Sequence, residues 1–240
     1  MVIQLSDDLV PLKRPQFELR ARQLFFLLST RAHAEFDSDD AVLWSRIDGT
    51  ATVGQLRGSC PELESRLRRF WDLGACEFAP SRFPGNRRRV LVVEPHMDDA
   101  VLSVGGLMWS LRGECEFTLV SVAGHSNFTS YYYLDREFFD VAQVTELRKA
   151  ESALVMRVLG GRHAMLDELD APLRYQPGNW ILDWYRHHWK CVSAFIDHCS
   201  TDQEIESWAL EIEHLLVATD AQEIWLPLGV GAHTDDELTR

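Results

Sequence analysis

The sequence predicts an α/β protein: a Rossmann-like, mainly parallel sheet with helices on both faces, preceded by a small helical unit. Three observations carry this. From residue 88 onward, short apolar runs alternate with longer amphipathic ones, the texture of successive βα units. Val90–Glu94 is a continuous apolar run closed by an acid, as expected of a strand buried on both faces of a parallel sheet. The first 80 residues read differently, as three short helices with little strand. At 240 residues the chain is long enough for two modest domains, each with its own core.

In the first unit, residues 1–80, FELRARQLFFLL (17–28) is apolar enough for a strand and its return. Asp and Ser precede an apolar-periodic run in EFDSDDAVLWSRID, placing a helix start near residue 38, and Gly49 ends it. A second short helix begins in Thr52–Leu56. A third runs through PELESRLRRFWDLG, with Pro61 at its start and Gly74 at its end. ACEFAP then reads as a brief strand. Three short helices and a terminal strand predict a winged-helix-like domain. Residues 81–87, polar and containing Pro and Gly, form a linker.

The second unit, residues 88–240, opens on the strand Val90–Glu94. A helix follows over 100–112, a second strand over Glu116–Ala123, and a polar, aromatic loop over 124–139. Residues 141–159 place Val144, Leu147, Leu154, Val155 and Val158 largely on one face, and Gly160-Gly161 ends that helix. Two more helices are expected at 183–199 and 202–217, then a last strand at Glu223–Leu226. Gly105-Gly106 inside the first of these helices weakens it by about 1 kcal/mol per glycine, which predicts close packing or backbone approach there.

A formal charge of −13 disfavours nucleic acid as a partner, because a phosphate backbone selects a basic face and Arg87–Arg89 is too short to make one. Cys60, Cys76, Cys115, Cys191 and Cys199 are an odd set without paired spacing, neither a disulfide framework nor a cysteine zinc site. The N-terminal stretch lacks the apolar core of a secretory signal, and no apolar run is long enough to span a membrane. A soluble cytoplasmic protein is expected.

Two polar clusters follow strands. His96, Asp98 and Asp99 come directly after Val90–Glu94; His233, Asp235 and Asp236 come after the last strand. Function in open α/β sheets gathers at the carboxyl ends of strands, so residues more than 130 positions apart can meet at one edge. Imidazole and carboxylate are ordinary zinc ligands, and a catalytic zinc takes three protein ligands and leaves a position open. The competing reading of Asp98-Asp99 is a helix N-cap, which answers orphan N–H groups and the helix dipole.

PHMDDAVLSVGG resembles the PHPDD…GG signature of the LmbE/PIG-L-like deacetylases, zinc hydrolases that remove acyl groups from N-acetylated sugars and related amides. LRKAE (147–151) is similar to that family's Arg-x-x-Glu helix. LDELDAPLRY (166–175) is similar to its later Asp-containing loop, and WLPLGVGAHTDD to its Gly-His-x-Asp-His segment. The resemblance implies His96, Asp99 and Asp236 as metal ligands, Asp98 as general base and His233 as the histidine assisting collapse of the intermediate. It also implies Arg148 as a substrate contact, with an ion pair to Glu151 or Asp140 as the alternative, and Asp170 as a substrate-binding residue able to orient His233; His125, just beyond the second strand where the family has a small polar turn, is expected to line the pocket or the surface. Asp236 stands where the family has histidine, so another divalent ion could replace zinc. The chain stops four residues later, where the family continues, so a shortened member, or a piece supplied by a partner or second subunit, is expected. RPQFELR, DDAVLWSRIDGTATVGQLRG and LRRFWDLGACEF resemble the PqqD-like peptide-binding domains of natural-product pathways. This implies a peptide or carrier-linked partner for the first unit. The function expected is metal-dependent hydrolysis of an N-acyl bond in an amino sugar or related natural-product intermediate. The alternative is a degenerate hydrolase fold serving as a binding or scaffold module.

Overall fold

The computed structural model describes residues 5–26, 31–58, 60–126, 141–170, 173 and 202–227. The chain divides into two compact units, the first mainly residues 1–84 and the second mainly residues 85–240.

In the first unit, β1 (Leu9–Lys13) pairs antiparallel with β5 (Cys76–Pro80), and β2 (Phe17–Arg20), β3 (Gln23–Phe26) and β4 (Ala34–Glu35) form a second small sheet. The expected strand and return is the β2–β3 hairpin. Its turn residues Ala21 and Arg22 both take positive φ (47° and 67°), the twist that a two-residue hairpin turn demands. Strands β1 and β4 were not expected; Pro11 inside LVPLK hides the first, and the second has only two residues.

Helix α1 (Ser38–Arg46) starts where Asp37 caps it in a reciprocal capping box with Asp40. Helix α2 (Val53–Leu56) has the equivalent box from Thr52 and Gln55. Helix α3 (Leu63–Asp72) begins later than Pro61 suggests, because Glu62, in the left-handed region, occupies the cap position. Gly74 ends it in a Schellman motif: Ala75 N–H donates to Phe70 O and Gly74 N–H to Trp71 O. Leu24, Leu43, Leu67 and Phe70 make the buried centre of this unit. Asp40 is buried beside them, answered by Arg66 and Arg69.

The second unit is a four-stranded parallel sheet of β6 (Arg88–Glu94), β7 (Cys115–His125), β8 (Arg162–Leu169) and β9 (Glu223–Trp225), in the order β8-β7-β6-β9. Helices α4 (Asp99–Leu111), α5 (Val141–Leu159) and α6 (Asp202–Thr219) flank it. Trp208 of α6 is buried against Leu91 and Val93 of β6, Val120 and Val122 of β7 and Leu166 of β8. The chain lays β6, β7 and β8 in one direction and then returns to place β9 on the other side of β6. This reversal makes the carboxyl end of β6 the topological switch point, where ligands of such sheets bind.

Strand β8 was not expected, because His163, Asp167 and Glu168 interrupt the apolar pattern of RHAMLDEL. The close packing predicted at Gly105-Gly106 is not found among the described residues: a Cβ at Gly106 would meet nothing within 4 Å, and one at Gly105 only Val101 at 3.5 Å. Close approaches lie elsewhere, among them Gly124, where a Cβ would fall 2.0 Å from the Leu166 carbonyl oxygen, beside the register shift between β7 and β8. The helix expected at 183–199 lies outside the described residues. No helix among the described residues is long and apolar enough to cross a membrane.

Candidate active site

The site is built on the turn joining β6 to α4. Pro95 O accepts from Ala123 N–H at 2.9 Å, tying the turn to β7, and Met97 O accepts from Ser152 Oγ at 3.1 Å, tying it to α5. Asp98 stands at the N-cap position of α4, yet its side chain caps nothing. Helix α4 is answered instead from the strand below: Glu94 Oε2 accepts from Ala100 N–H at 2.9 Å. The capping explanation for Asp98-Asp99 therefore fails in its simple form, since a third acid does that work and leaves both aspartates to face the switch point.

Asp99 Oδ2 accepts from His96 N–H and lies 3.0 Å from both that nitrogen and His96 Nδ1. The other ring nitrogen, Nε2, is 3.5 Å from Asp170 Oδ1, which follows β8. Asp170 Oδ2 accepts from Ser126 Oγ at 2.6 Å, and Ser126 follows β7. Arg148, from α5, is 6% exposed and donates through Nη2 to Asp98 Oδ1 at 2.8 Å. Its Nη1 is 3.4 Å from Ser126 Oγ. Three strand ends and one helix thus place His96, Asp98, Asp99, Ser126, Arg148 and Asp170 in one contiguous network.

Beneath it runs a buried polar chain that sequence reasoning missed. Glu94 and Ser121 are register partners on β6 and β7, so their side chains leave the same face of the sheet. Ser121 Oγ donates to Glu94 Oε1 at 2.6 Å and lies 2.8 Å from His163 Nε2. Burial pushes the Glu94 carboxyl up to about 8, with the charges of Asp99 and Asp98 adding to it against the hydrogen bonds from Ser121 and Ala100. Burial also pushes the His163 imidazole down to about 4. Both groups are therefore predominantly neutral near pH 7. The sequence signal for Glu94 was the single acid closing VLVV; nothing in RHAMLDEL singles out His163.

His96, Asp98, Asp99, Arg148 and Asp170 are thus brought together. Arg148 meets Asp98 among the described residues, and Asp170 meets His96 and Ser126. His125 sits at the rim, its Nε2 2.6 Å from Oδ1 of the exposed Asp167. His233, Asp235 and Asp236 lie outside the described residues. Among the described residues no group of three or more His, Cys, Asp or Glu side chains is arranged to hold a metal ion. Two of the three expected donors lie side by side at hydrogen-bond distance. His96 Nδ1 and Asp99 Oδ2, 3.0 Å apart, stand a few tenths of an ångström closer than two donors on tetrahedral zinc, at about 3.4 Å. Cys60, Cys76 and Cys115 are free and buried.

No protein-family model matches the chain. No curated protein matches its sequence. Solved structures similar to it include a deacetylase of the teicoplanin biosynthesis pathway, 23% identical, TM-score 0.46, covering 63% of this chain and 59% of that one. The A40926 pseudoaglycone deacetylase Dbv21 is 22% identical, TM-score 0.40, covering 65% and 56%. GalB, the 4-carboxy-2-hydroxymuconate hydratase of Pseudomonas putida KT2440, is 14% identical, TM-score 0.43, covering 63% and 52%. The matches thus span less than two thirds of these chains' own lengths.

Proposed function

We propose that this chain is a metal-dependent hydrolase that cleaves an N-acyl bond in an amino sugar or related natural-product intermediate. The observation carrying this reading is the division of labour among the acids at the β6 switch point. Glu94 caps the helix, which leaves His96 and Asp99 paired as donors and Asp98 beside them. His96, Asp99 and Asp236 would hold the ion, zinc or another divalent metal, which supplies Lewis acidity toward the acyl carbonyl. Asp98 takes a proton from the attacking water, and the Arg148 contact fixes its orientation. The water oxygen adds to the acyl carbon, the C–N bond breaks, and His233 delivers the proton that lets the amine leave. The products are a carboxylate and an amine.

The Asp98–Arg148 ion pair also favours a second reading, a fold of this type retained as a binding module, because it engages the expected base with a buried guanidinium. Release of acetate from N-acetylated amino sugars separates the two. Asp98→Asn should lower turnover about 10²–10⁴-fold while zinc stays bound, and Asp236→Ala should lose the zinc. A wild-type protein that binds zinc but releases no acid from any N-acyl amine favours the binding module.

For the first unit, the proposal is a winged-helix-like, PqqD-like module that presents a peptide or carrier-linked substrate. Its three short helices, its hairpin and a polar hollow of about 570 Å³ lined by Arg22, Glu35, Asp37 and Arg69 support it. A fluorescently labelled peptide should bind the full chain, and Arg69→Glu should weaken that binding.

A further inference from the structure

Helix α5 turns a polar stripe toward the site. Thr145, Arg148 and Ser152 stand at i, i+3 and i+7 on one face of the helix, and all three are buried. Further along the helix that side continues in the buried apolar residues Met156 and Leu159. An apolar stripe would pack the helix on the sheet as well, whereas a buried hydroxyl or guanidinium costs stability unless it is hydrogen-bonded. Each of the three is bonded, and each to a different part of the site. Thr145 Oγ1 accepts from Ser126 N–H at 3.2 Å and donates to Ser126 O at 3.4 Å, gripping the residue that follows β7. Arg148 donates to Asp98 Oδ1, and Ser152 Oγ donates to Met97 O.

Asp98 needs such a hold. Its side chain is 51% exposed and caps nothing, and among the described residues it meets no donor but Arg148, whose side chain is 7% exposed. A half-exposed ion pair contributes little by itself, because water screens it. The direction of the Asp98 carboxylate is therefore set by how firmly the guanidinium is anchored on its buried side. Arg148 Nη1 lies 3.4 Å from Ser126 Oγ. Ser126 is in turn fixed through its backbone N–H and carbonyl by Thr145, three residues from Arg148 on the same helix.

We infer that Thr145 is a positioning residue: through Ser126 and Arg148 it fixes the direction of the Asp98 carboxylate. This rests on the hydrolase reading proposed above, in which Asp98 takes the proton of the attacking water. It gives α5 a part in turnover that involves no contact of Thr145 with substrate or metal.

The test compares wild type with Thr145→Val and Thr145→Ser by three readouts: acetate release from N-acetylglucosamine, bound zinc, and rotation of the Arg148 guanidinium followed by ¹⁵N NMR. Thr145→Val keeps the side-chain shape and removes both bonds to Ser126. It should lower kcat about 10–100-fold with KM and bound zinc unchanged, and it should speed the guanidinium rotation. Thr145→Ser, which restores the hydroxyl, should return all three readouts close to wild type. In an Asp98→Asn background Thr145→Val should cost nothing further, because the base it positions is already gone; a general loss of stability would instead add in full. If Thr145→Val fails to fold by circular dichroism, Ser126→Ala, which removes the Arg148 contact, carries the same readouts. Unchanged guanidinium rotation, unchanged kcat, a raised KM alone, or an additive loss over Asp98→Asn each overturns the inference. A wild type that binds zinc but releases no acid from any N-acyl amine overturns the hydrolase reading; the guanidinium rotation then decides the Thr145 contact by itself.

Discussion

Replacing Glu94 with glutamine should remove one arm of the pH dependence of stability. Glu94 is 1% exposed and its carboxyl is pushed up to about 8, whereas in the unfolded chain it returns to its ordinary value of 4.5. Between those values the folded protein keeps a proton that the unfolded chain has released. Stability attributable to Glu94 is therefore fully present below pH 4.5 and lost as pH rises through about 8. The loss is about 1.4 kcal/mol per pH unit, and about 5 kcal/mol over the whole window as a ceiling. Glutamine keeps an acceptor for Ala100 N–H and offers Ser121 a donor, but cannot ionise. Urea unfolding of chelator-treated wild type and Glu94→Gln, from about pH 5 to pH 9, isolates the effect, because other titrating groups cancel in the difference. The variant should gain on wild type as pH rises and then level off. Two parallel curves would refute the burial argument.

Two further predictions concern the same sheet. Gly124→Ala should destabilise the protein by about 1–3 kcal/mol or more, read as a lower urea midpoint, because its Cβ has no room beside Leu166 O; an unchanged midpoint contradicts the β7–β8 register. His163, pushed down to about 4, stays neutral when folded while the unfolded chain takes up a proton near 6.5, so its contribution is lost as pH falls through that window. His163→Gln should lose less stability than wild type on acidification, and equal acid-side slopes would show that His163 titrates normally.

Much of the fold was legible because its signals are local. Asp37, Gly74 and the VLVVE run each act through their own neighbours, and each appears where its chemistry demands. Strand β8 was illegible because its polar residues are satisfied by other strands: His163 by Ser121, and Arg162 by Glu116 at 3.1 Å. The same holds at the site. PHMDD could be read as ligands or as a cap, and only the register of β6 against β7 shows Glu94 taking the cap role while joined to Ser121. Asp170 stood out only through resemblance; its contact with His96 depends on β8 ending beside β7, which sequence spacing does not encode.

The central claim is that the β6 switch point holds a metal ion through His96 and Asp99. Equilibrium zinc titration of the chelator-stripped chain, with Asp99→Ala alongside, tests it directly. The account predicts close to one zinc per chain for wild type and loss of that site in the variant. Absence of binding by wild type, or an equal stoichiometry and affinity in Asp99→Ala, would contradict it.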